Sequence, residues 1–296
     1  MRSFGLEIEV TNNNCKQERL TELIKIYSHK KVSVNDGWQQ TINNDYWHVK
    51  TDSSCGWEIA SFVGNSFQDL RHISRVVEQL AINNVAINNS CGFHIHANVS
   101  DLTTKQVGLV HAKWLKIEDF LLQAVPSHRI NNTYCMPLKK CFMIKYKKGF
   151  PYNMENFWDE IKPTKLHVHS NEQKRVTLNA VNYATSVAHA EANGVPDKSQ
   201  RPTLEFRLPE GTLDPDDIKY WTVFFINFID YTSQKSVFPK TFNSLSTLKK
   251  FFIYVGLGKK EIEKNEILLN AKMWFLKRFN LYGNDKIKSE IKELCY

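Results

Sequence analysis

The stretch Phe4-Gly5-Leu6-Glu7-Ile8-Glu9-Val10 decides how the rest of the sequence is interpreted. Its apolar residues alternate with Gly5, Glu7 and Glu9. At the two-residue period of a β-strand, the apolar side chains therefore face one way and both carboxylates face the other. The Cα atoms of Glu7 and Glu9 would lie about 6.5 Å apart, because a strand rises about 3.3 Å per residue. Two carboxylates this close in an enclosed site require a cation between them.

Three later segments alternate apolar and polar residues in the same way. The polar members are Glu58 in Trp57–Ile59, His94 and His96 in Gly92–His96, and Glu205 and Arg207 in Leu204–Leu208. Four such strands predict an antiparallel sheet whose polar face lines a reaction cleft. Taken singly, each segment also fits a strand with its polar side in water, and the last segment also fits a simple ion pair on one strand face.

Length and composition predict a large globular protein. The chain has 296 residues, of which 42% are apolar, enough for one large domain or a domain with an appendage. No run approaches the roughly 18 apolar residues that a membrane span needs. The N-terminus enters a strand at Phe4 without a charged and apolar leader, so we expect a cytoplasmic protein without membrane contact.

The cysteines and charges narrow the function classes further. Six scattered cysteines form no CxxC pair, which argues against a structural zinc site and favours free thiols; Cys55 and Cys91 adjoin the proposed site segments. The net charge is +8, and residues 235–296 carry thirteen Lys or Arg against six Asp or Glu. This basic tail fits a nucleic-acid partner or, alternatively, a solvated helix face.

Periodicity predicts the remaining elements. We expect further strands at 32–38, 47–51 and 175–179. We expect helices at 15–31, 67–83, 102–122, 214–230, 245–254 and 259–280. Residues 126–174 have no clear period and are expected to be irregular, and a polar loop is expected from Asn179 to Arg201.

The polar residues of the strands suit phosphate chemistry with metal ions. Carboxylates with one or two imidazoles and no thiolate favour Mg²⁺ or Mn²⁺ over zinc. The candidate ligands are Glu7, Glu9, Asp52, Glu58, His94 and Glu205. Lys50, Arg175 and Arg207 are the cations that could meet phosphate oxygens as charge builds on them.

Four motifs, taken in order, resemble the amidoligase family of carboxylate–amine ligases, which have a glutamine synthetase-like fold. They are Gly5–Glu9, Lys50–Ser54 continuing into Gly56–Ser61, Gly92–His96, and Leu204–Leu208 followed by Gly211–Asp214. The resemblance covers residues 4–230. It implies an α+β fold with a curved antiparallel sheet lining an ATP and metal site and helices on the outer face. The implied domains are an amidoligase-like catalytic domain, 1–232, and a small basic helical extension, 233–296.

The resemblance also implies a reaction and a role for each motif residue. ATP would phosphorylate a small-molecule or peptide carboxylate, and an amine would attack the acyl phosphate to give an amide and ADP. Glu7, His94 and Glu205 match the ligands of one metal ion, and Glu9, Glu58 and Asp52 those of a second. His96 and Asn179 match positions near the nucleotide, Arg207 one that stabilises the phosphoryl group, and Lys50 and Arg175 further catalytic cations.

Two alternatives stay open at this point. The same fold type also carries ATP-dependent phosphotransferases, so the reaction could stop at a phosphorylated product. A basic protein that binds nucleic acid through residues 235–296 is the second alternative. The sequence names neither the acid, nor the amine, nor the general base.

Overall fold

The computed structural model describes residues 1–35, 43–130, 132–145, 157–165, 173–193, 201–235, 237–239 and 241–294. The chain divides into two compact units, each described by itself. Unit 1 comprises Met1–Ala97 with Pro209–Thr222, and unit 2 comprises Asn98–Leu208 with Val223–Tyr296. The predicted division of the chain at residue 232 stays a prediction.

Unit 1 is built on five neighbouring strands in the order β2-β3-β4-β1-β5. Their bounds are β1 Phe4–Thr11, β2 Val32–Asn35, β3 Trp47–Asp52, β4 Gly56–Ala60 and β5 Phe93–Asn98. Strand β1 lies between β4 and β5 and is antiparallel to both; β3 is antiparallel to β4, and β2 is parallel to β3. A mainly antiparallel sheet with helices confirms the predicted α+β class.

The apolar face of β1 is buried as its alternation predicts. Phe4, Leu6, Ile8 and Val10 are almost fully removed from solvent. The described part of this unit includes α1 (Gln17–Tyr27), which contacts β2 and β3, and α2 (Phe67–Ile82), which packs on α1. Helix α2 begins with a capping box, in which Ser66 and Asp69 each satisfy the backbone N–H of the other.

Unit 2 is mainly helical. Its helices are α3 Thr104–Leu121, α4 Ser127–Ile130, α5 Leu138–Lys145, α6 Phe157–Ile161, α7 Val181–Asn193, α8 Pro215–Ser233, α9 Leu248–Tyr254, α10 Lys259–Ile262, α11 Glu266–Tyr282 and α12 Asp285–Leu294. Only the part of α8 from Val223 onward belongs to this unit. Short 3₁₀ helices cover Leu122–Ala124 and Pro163–Lys165, and strands β6 (Leu178–Asn179) and β7 (Thr203–Phe206) pair antiparallel.

Aromatic side chains fill the core of unit 2. Trp114 of α3 packs on Phe206 of β7, and the ring of Phe206 stacks on Phe225 of α8 with centroids 4.2 Å apart. Phe224, Phe225 and Phe228 of α8 are fully buried, and the helix itself was predicted at 214–230. Offset and tilted ring pairs of this kind add about 0.5–1.5 kcal/mol each beyond the area that they bury.

Some predicted elements differ from the observed ones. The predicted polar loop after Asn179 is wrong over Val181–Asn193, which forms α7. This helix is rich in alanine, a strong helix former, but buries only Tyr183 and Ser186, so it lacks the apolar stripe that identifies a helix. The expected strand at 175–179 is reduced to β6, and the expected helix at 259–280 is interrupted before Asn265, which caps α11.

The remaining differences concern segments outside the predicted motifs. Residues 126–174 were expected to be irregular, but their described parts include α4, α5 and α6, and α12 was not predicted. The expected strand at 32–38 ends at Asn35, and residues 36–42 lie outside the described residues. Among the helices that the structure describes, none has both the length and the apolar character needed to cross a bilayer.

Candidate functional site

The strand register of unit 1 brings the predicted polar residues into rows. Glu58 of β4 is opposite both Glu9 of β1 and Lys50 of β3, and Glu7 of β1 is opposite His94 of β5. Residues that oppose one another on adjacent strands point to the same face, with Cβ atoms about 4.5–5.5 Å apart. One row therefore reads Lys50–Glu58–Glu9, and its neighbour contains Glu7 and His94.

The acids of these rows do not lie in open water. Glu9, Glu58 and His94 are only 5%, 7% and 2% exposed, and Glu7 is half-buried. The alternative of an ordinary strand with a solvated polar side does not describe residues buried to this degree. Buried charged groups must instead be paired or bound to a cation.

Lys50 supplies the positive charge inside the first row. Its Nζ lies 2.5 Å from Oε1 of Glu58 and 3.8 Å from Oε1 of Glu7. Burial alone would lower the pKa of Lys50, but the charges of Glu7 and Glu58 outweigh it and raise that pKa. Burial, together with the charge of Glu7, raises the pKa of Glu58 to about 8 despite the lysine. The Glu58 carboxyl group thus ionises less readily than an ordinary glutamate, even beside the ammonium group.

Histidines pair with the carboxylates in the second row. Oε2 of Glu7 lies 3.4 Å from Nδ1 of His94 and 3.4 Å from Nε2 of His96, and Nε2 of His94 lies 3.5 Å from Oε1 of Glu9. Burial opposes ionisation of Glu7, but the charge of His96 and hydrogen bonds with both histidines lower its pKa well below the usual value. Oε2 of Glu9 accepts a hydrogen bond of 2.6 Å from the backbone N–H of Gly92.

Three of these acids could hold a metal ion. Glu9, Asp52 and Glu58 each offer an oxygen, and these oxygens lie within 4.8 Å of one another. Oε1 of Glu58 is buried, and its partner among the described residues is the ammonium group of Lys50. A set of three carboxylates without a thiolate or an imidazole fits a hard cation such as Mg²⁺ or Mn²⁺.

The loop between β3 and β4 orients Asp52. Oδ1 of Asp52 accepts hydrogen bonds from the backbone N–H groups of Ser54 and Cys55, at 2.7 and 3.2 Å, and from the hydroxyl of Ser54. These bonds lower the pKa of Asp52, although burial opposes them. Gly56 then turns the chain into β4 with a φ of +128°, a conformation that favours glycine.

A second polar cluster lies in unit 2. Asn179 of β6 is opposite Glu205 of β7, and its side-chain amide donates to Oε2 of Glu205 at 2.6 Å. Arg207 donates to Oε1 of the same carboxylate at 2.5 Å and to the backbone carbonyl of Tyr134 at 3.4 Å. The guanidinium of Arg175 lies 4.6 Å above the ring of Tyr134. One arginine and one amide thus bind the buried carboxylate of Glu205, and Arg175 lies over the tyrosine whose carbonyl Arg207 contacts.

A comparison with protein families tests the resemblance that the motifs carry. A family model described as "Putative amidoligase enzyme" matches residues 1–229. The chain belongs to the amidoligase family. Membership of the amidoligases supports a carboxylate–amine ligase, and the family predicted from the four motifs is confirmed.

The comparison with solved structures found a weaker similarity for this amidoligase. Its structure is similar to one described as the crystal structure of the complex between the prokaryotic ubiquitin-like protein Pup and its ligase PafA, with 10% sequence identity and a TM-score of 0.37. The similarity covers 99% of this chain and 66% of that chain, slightly under two thirds of its length. No curated protein matches the sequence.

The structure distributes the predicted site residues of the amidoligase over its two units. Unit 1 brings together Glu7, Glu9, Lys50, Asp52, Glu58, His94 and His96, and unit 2 brings together Arg175, Asn179, Glu205 and Arg207. The predicted ligand set of Glu7 and His94 with Glu205 stays a prediction, as do the catalytic and nucleotide-binding roles.

Sequence reasoning missed several residues that support these clusters. Arg129, only 1% exposed, donates to the carbonyls of Arg207 and Leu208 at 2.6 and 3.2 Å, and no local pattern marks it. Buried His48 accompanies Lys50 and Asp52 on one face of β3, with Nε2 2.8 Å from the carbonyl of Asn43. Alternation over His48-Val49-Lys50-Thr51-Asp52 is the signal that could have identified it.

Proposed function

We propose that this chain is an ATP-dependent carboxylate–amine ligase with a glutamine synthetase-like fold. ATP phosphorylates the substrate carboxylate, and an amine then attacks the acyl phosphate, so that the amide bond forms as phosphate leaves. Family membership supplies the reaction class. The observation that carries the proposal is the buried group of Glu9, Asp52 and Glu58, an oxygen ligand set next to a lysine on the polar face of the sheet.

Glu9, Asp52 and Glu58 would hold one divalent ion, and Glu7, His94 and Glu205 a second. Such ions, when bound, offset negative charge on the phosphate oxygens during transfer. The chain's own residues prepare the ligands: Gly92 N–H fixes one oxygen of Glu9, and the Ser54 and Cys55 N–H groups fix Oδ1 of Asp52. Carboxylates oriented in this way lose little further freedom when a cation binds.

The cations of the second cluster have complementary roles. We assign Arg207 to stabilisation of the phosphoryl group, with Arg175 and Lys50 as further catalytic cations, and His96 and Asn179 to the nucleotide. Asn179 and Arg207 are held by a shared partner, Glu205, and Arg129 donates to the backbone carbonyl of Arg207. The guanidinium of Arg207, held by Glu205 and by the carbonyl of Tyr134, presents its remaining N–H groups in a defined direction.

The proposed organisation keeps residues 1–232 as the catalytic domain and 233–296 as a basic helical extension. The substrates are a small-molecule or peptide carboxylate and an amine. Nucleic-acid binding through the extension is supported by no contact of the described residues and by none of the comparisons, so it stays a sequence-based prediction.

Metal binding gives the first test. Mn²⁺ affinity, measured from the paramagnetic resonance signal of the free ion, should fall at least tenfold in Glu9→Gln and Glu58→Gln. Glu78→Gln is the matched control, because it makes the same change on an exposed helix face of the same unit. Equal Mn²⁺ affinity in all three variants and the native protein would contradict the ligand assignment.

Product analysis gives the second test. The protein is incubated with ATP, Mg²⁺ and sets of carboxylates, each with and without sets of amines, and free phosphate and product masses are recorded. A ligase releases phosphate in step with a product formed by loss of water from the two substrates. A phosphotransferase would keep the phosphate on its product whether or not an amine is present, and that result would replace the ligase by the alternative of the same fold.

A further inference from the structure

Three elements of unit 1 meet at the hydroxyl group of Ser28. Ser28 follows the last residue of α1 and caps that helix, with its backbone nitrogen 2.9 Å from the carbonyl oxygen of Ile24. Its Oγ accepts hydrogen bonds from Nε1 of Trp47, the first residue of β3, at 2.8 Å and from the backbone N–H of Lys30 at 3.1 Å. Nε2 of His72, on α2, lies 3.0 Å from the same oxygen. One hydroxyl group thus joins α1, β3 and α2.

The hydrogen bonds at Ser28 determine the protonation state of His72. A serine hydroxyl has two acceptor positions and one hydrogen to donate. Trp47 and Lys30 occupy both acceptor positions, so the hydroxyl hydrogen points to Nε2 of His72. That nitrogen therefore carries no hydrogen, and the neutral ring of His72 has its proton on Nδ1. A protonated His72 would place a second hydrogen between the same two atoms, where neither atom could accept it.

The charged groups around His72 also disfavour a proton on its ring. The exposed ring of His29 packs on the ring of His72, with centroids 4.2 Å apart. Burial lowers the pKa of His72, and three nearby basic side chains lower it further. They belong to His29, Lys30 and Arg75. The charge of Asp69, one turn earlier on α2, opposes them, but its carboxylate is already engaged in the capping box of that helix.

The sheet contributes aromatic rings to this cluster. Phe62, just after β4, has its ring centroid 5.9 Å from that of His72 and 5.8 Å from that of Trp47. Phe62 and Trp47 are at most 2% exposed. Among the contacts that the structure describes at Nε2 of His72, Ser28 is the polar partner. A protonated His72 must therefore turn away from Ser28 before water can accept its new hydrogen.

We propose that Ser28 and His72 form a proton-sensitive latch, which holds the end of α1 and the start of β3 on α2 and opens more readily when His72 takes up a proton. In the opened or unfolded chain His72 binds that proton with the ordinary histidine pKa of about 6.5, and in the closed latch it binds it less readily. Opening therefore takes up a proton, so the latch loses stability as the pH falls below about 6.5. Strand β3 also carries Lys50 and Asp52, so the latch acts on a strand of the candidate site.

Nitrogen-15 NMR of the histidine side chains tests the tautomer of His72. At about pH 7.5 we expect its proton on Nδ1 and an unprotonated Nε2. The signals are assigned by their loss in His72→Gln. A proton on Nε2 in the native protein would overturn the proposal, because Ser28 could then not donate to that nitrogen.

Hydrogen exchange measures the opening of the latch. Peptides from α1 and β3 are followed by mass spectrometry at about pH 7.5 and about pH 5.5, after correction for the intrinsic effect of pH on exchange. In the native protein we expect their protection to fall about fivefold at the lower pH, the factor that one net hydrogen bond supplies. His72→Gln keeps an acceptor oxygen for Ser28 but does not titrate in this range, so its protection should be equal at both pH values. His29→Gln removes a neighbouring positive charge and should make the fall smaller.

Local exchange is the right measurement because acid also acts on unit 2. Burial lowers the pKa of His111 in that unit to about 4, so global unfolding would mix two effects of the same sign. Equal protection of native α1 and β3 at both pH values would overturn the proposal, as would a pH response that persists unchanged in His72→Gln. If His72→Gln failed to fold, His29→Gln would decide, because a pH response equal to that of the native protein would count against the latch.

Discussion

Replacing Glu118 by alanine is a substitution outside the candidate site for which the structure predicts a large loss of stability. Glu118 lies on α3 and is fully buried in unit 2. Its Oε1 accepts hydrogen bonds from Trp114 Nε1 at 3.0 Å and from the Leu138 N–H at 2.8 Å, as well as one from the Thr177 hydroxyl. Its Oε2 accepts from the Lys139 N–H at 2.7 Å. One carboxylate thus satisfies four donors, two of them at the first turn of α5.

The magnitude follows from the donors that alanine would leave unpaired. A buried donor without a partner costs about 1–3 kcal/mol, and breaking a buried charged network typically costs about 3–5 kcal/mol. We expect Glu118→Ala to lower the free energy of unfolding by about 3–5 kcal/mol. Glu118→Gln keeps the shape and one acceptor oxygen but places an NH₂ group against other donors, so we expect a loss of about 1–3 kcal/mol.

Urea unfolding followed by tryptophan fluorescence and circular dichroism measures these losses. Glu22→Ala is the control, because Glu22 is exposed and its ion pair with Arg19 is worth at most about 1 kcal/mol. A loss below about 1 kcal/mol for Glu118→Ala would refute the view that this carboxylate organises the start of α5 and the segment of Thr177.

The same variant carries a pH prediction. Burial raises the pKa of Glu118 in the folded protein, although the hydrogen bonds it accepts oppose that rise. A carboxyl group with a folded-state pKa above its unfolded value of about 4.3 contributes its full stability below that pH and loses the contribution as pH rises through the folded-state pKa. The stability advantage of the native protein over Glu118→Gln should therefore shrink as pH rises, as urea unfolding across a pH series would show.

Substitutions at three further positions test separate features by urea unfolding. Ser66→Ala removes half of the capping box with Asp69 and should cost about 1 kcal/mol, whereas an unchanged midpoint would show that the cap is replaced by water. Gly56→Ala should lower the free energy of unfolding by more than about 1 kcal/mol, because φ is +128° there and a Cβ would lie 2.6 Å from the backbone nitrogen of Asn12. An unchanged free energy of unfolding would mean that the turn relaxes freely. Arg129→Met should cost about 3 kcal/mol, because it removes a charged donor from the carbonyls of Arg207 and Leu208 and leaves the first with only the weak thiol donor of Cys135. Arg129→Lys should recover part of that loss; equal losses would contradict the role of the hydrogen bonds.

The local pattern of the sequence was sufficient for the faces of individual strands. Alternation in β1 correctly separated the buried apolar set from Glu7 and Glu9, because the two-residue period belongs to the strand itself. The burial of Glu9 and Glu58 was expected from the matching polarity of several strands, and it is observed. The family could also be predicted from the sequence, because its motifs lie on these strands.

Pairing between strands could not be obtained from the sequence. Glu58 is opposite both Glu9 and Lys50 because of the register in which the three strands pair. A shift of β4 by one residue would place Trp57 between Glu9 and Lys50 instead. The contacts within unit 2 also could not be predicted from the sequence. Arg129 binds carbonyls almost eighty residues away, and α7 is held by few buried side chains, so neither leaves a periodic signal.

The ammonium group of Lys50 affects whether the protein needs a metal ion in order to fold. Many small metal-binding domains fold only when their ion arrives, because their ligands repel one another until then. Here a covalently attached cation already lies between Glu7 and Glu58, so part of the negative charge on this face is offset during folding itself. In the proposed ligase, a divalent ion would then bind to ligands that are already in place, and could leave again without unfolding the chain.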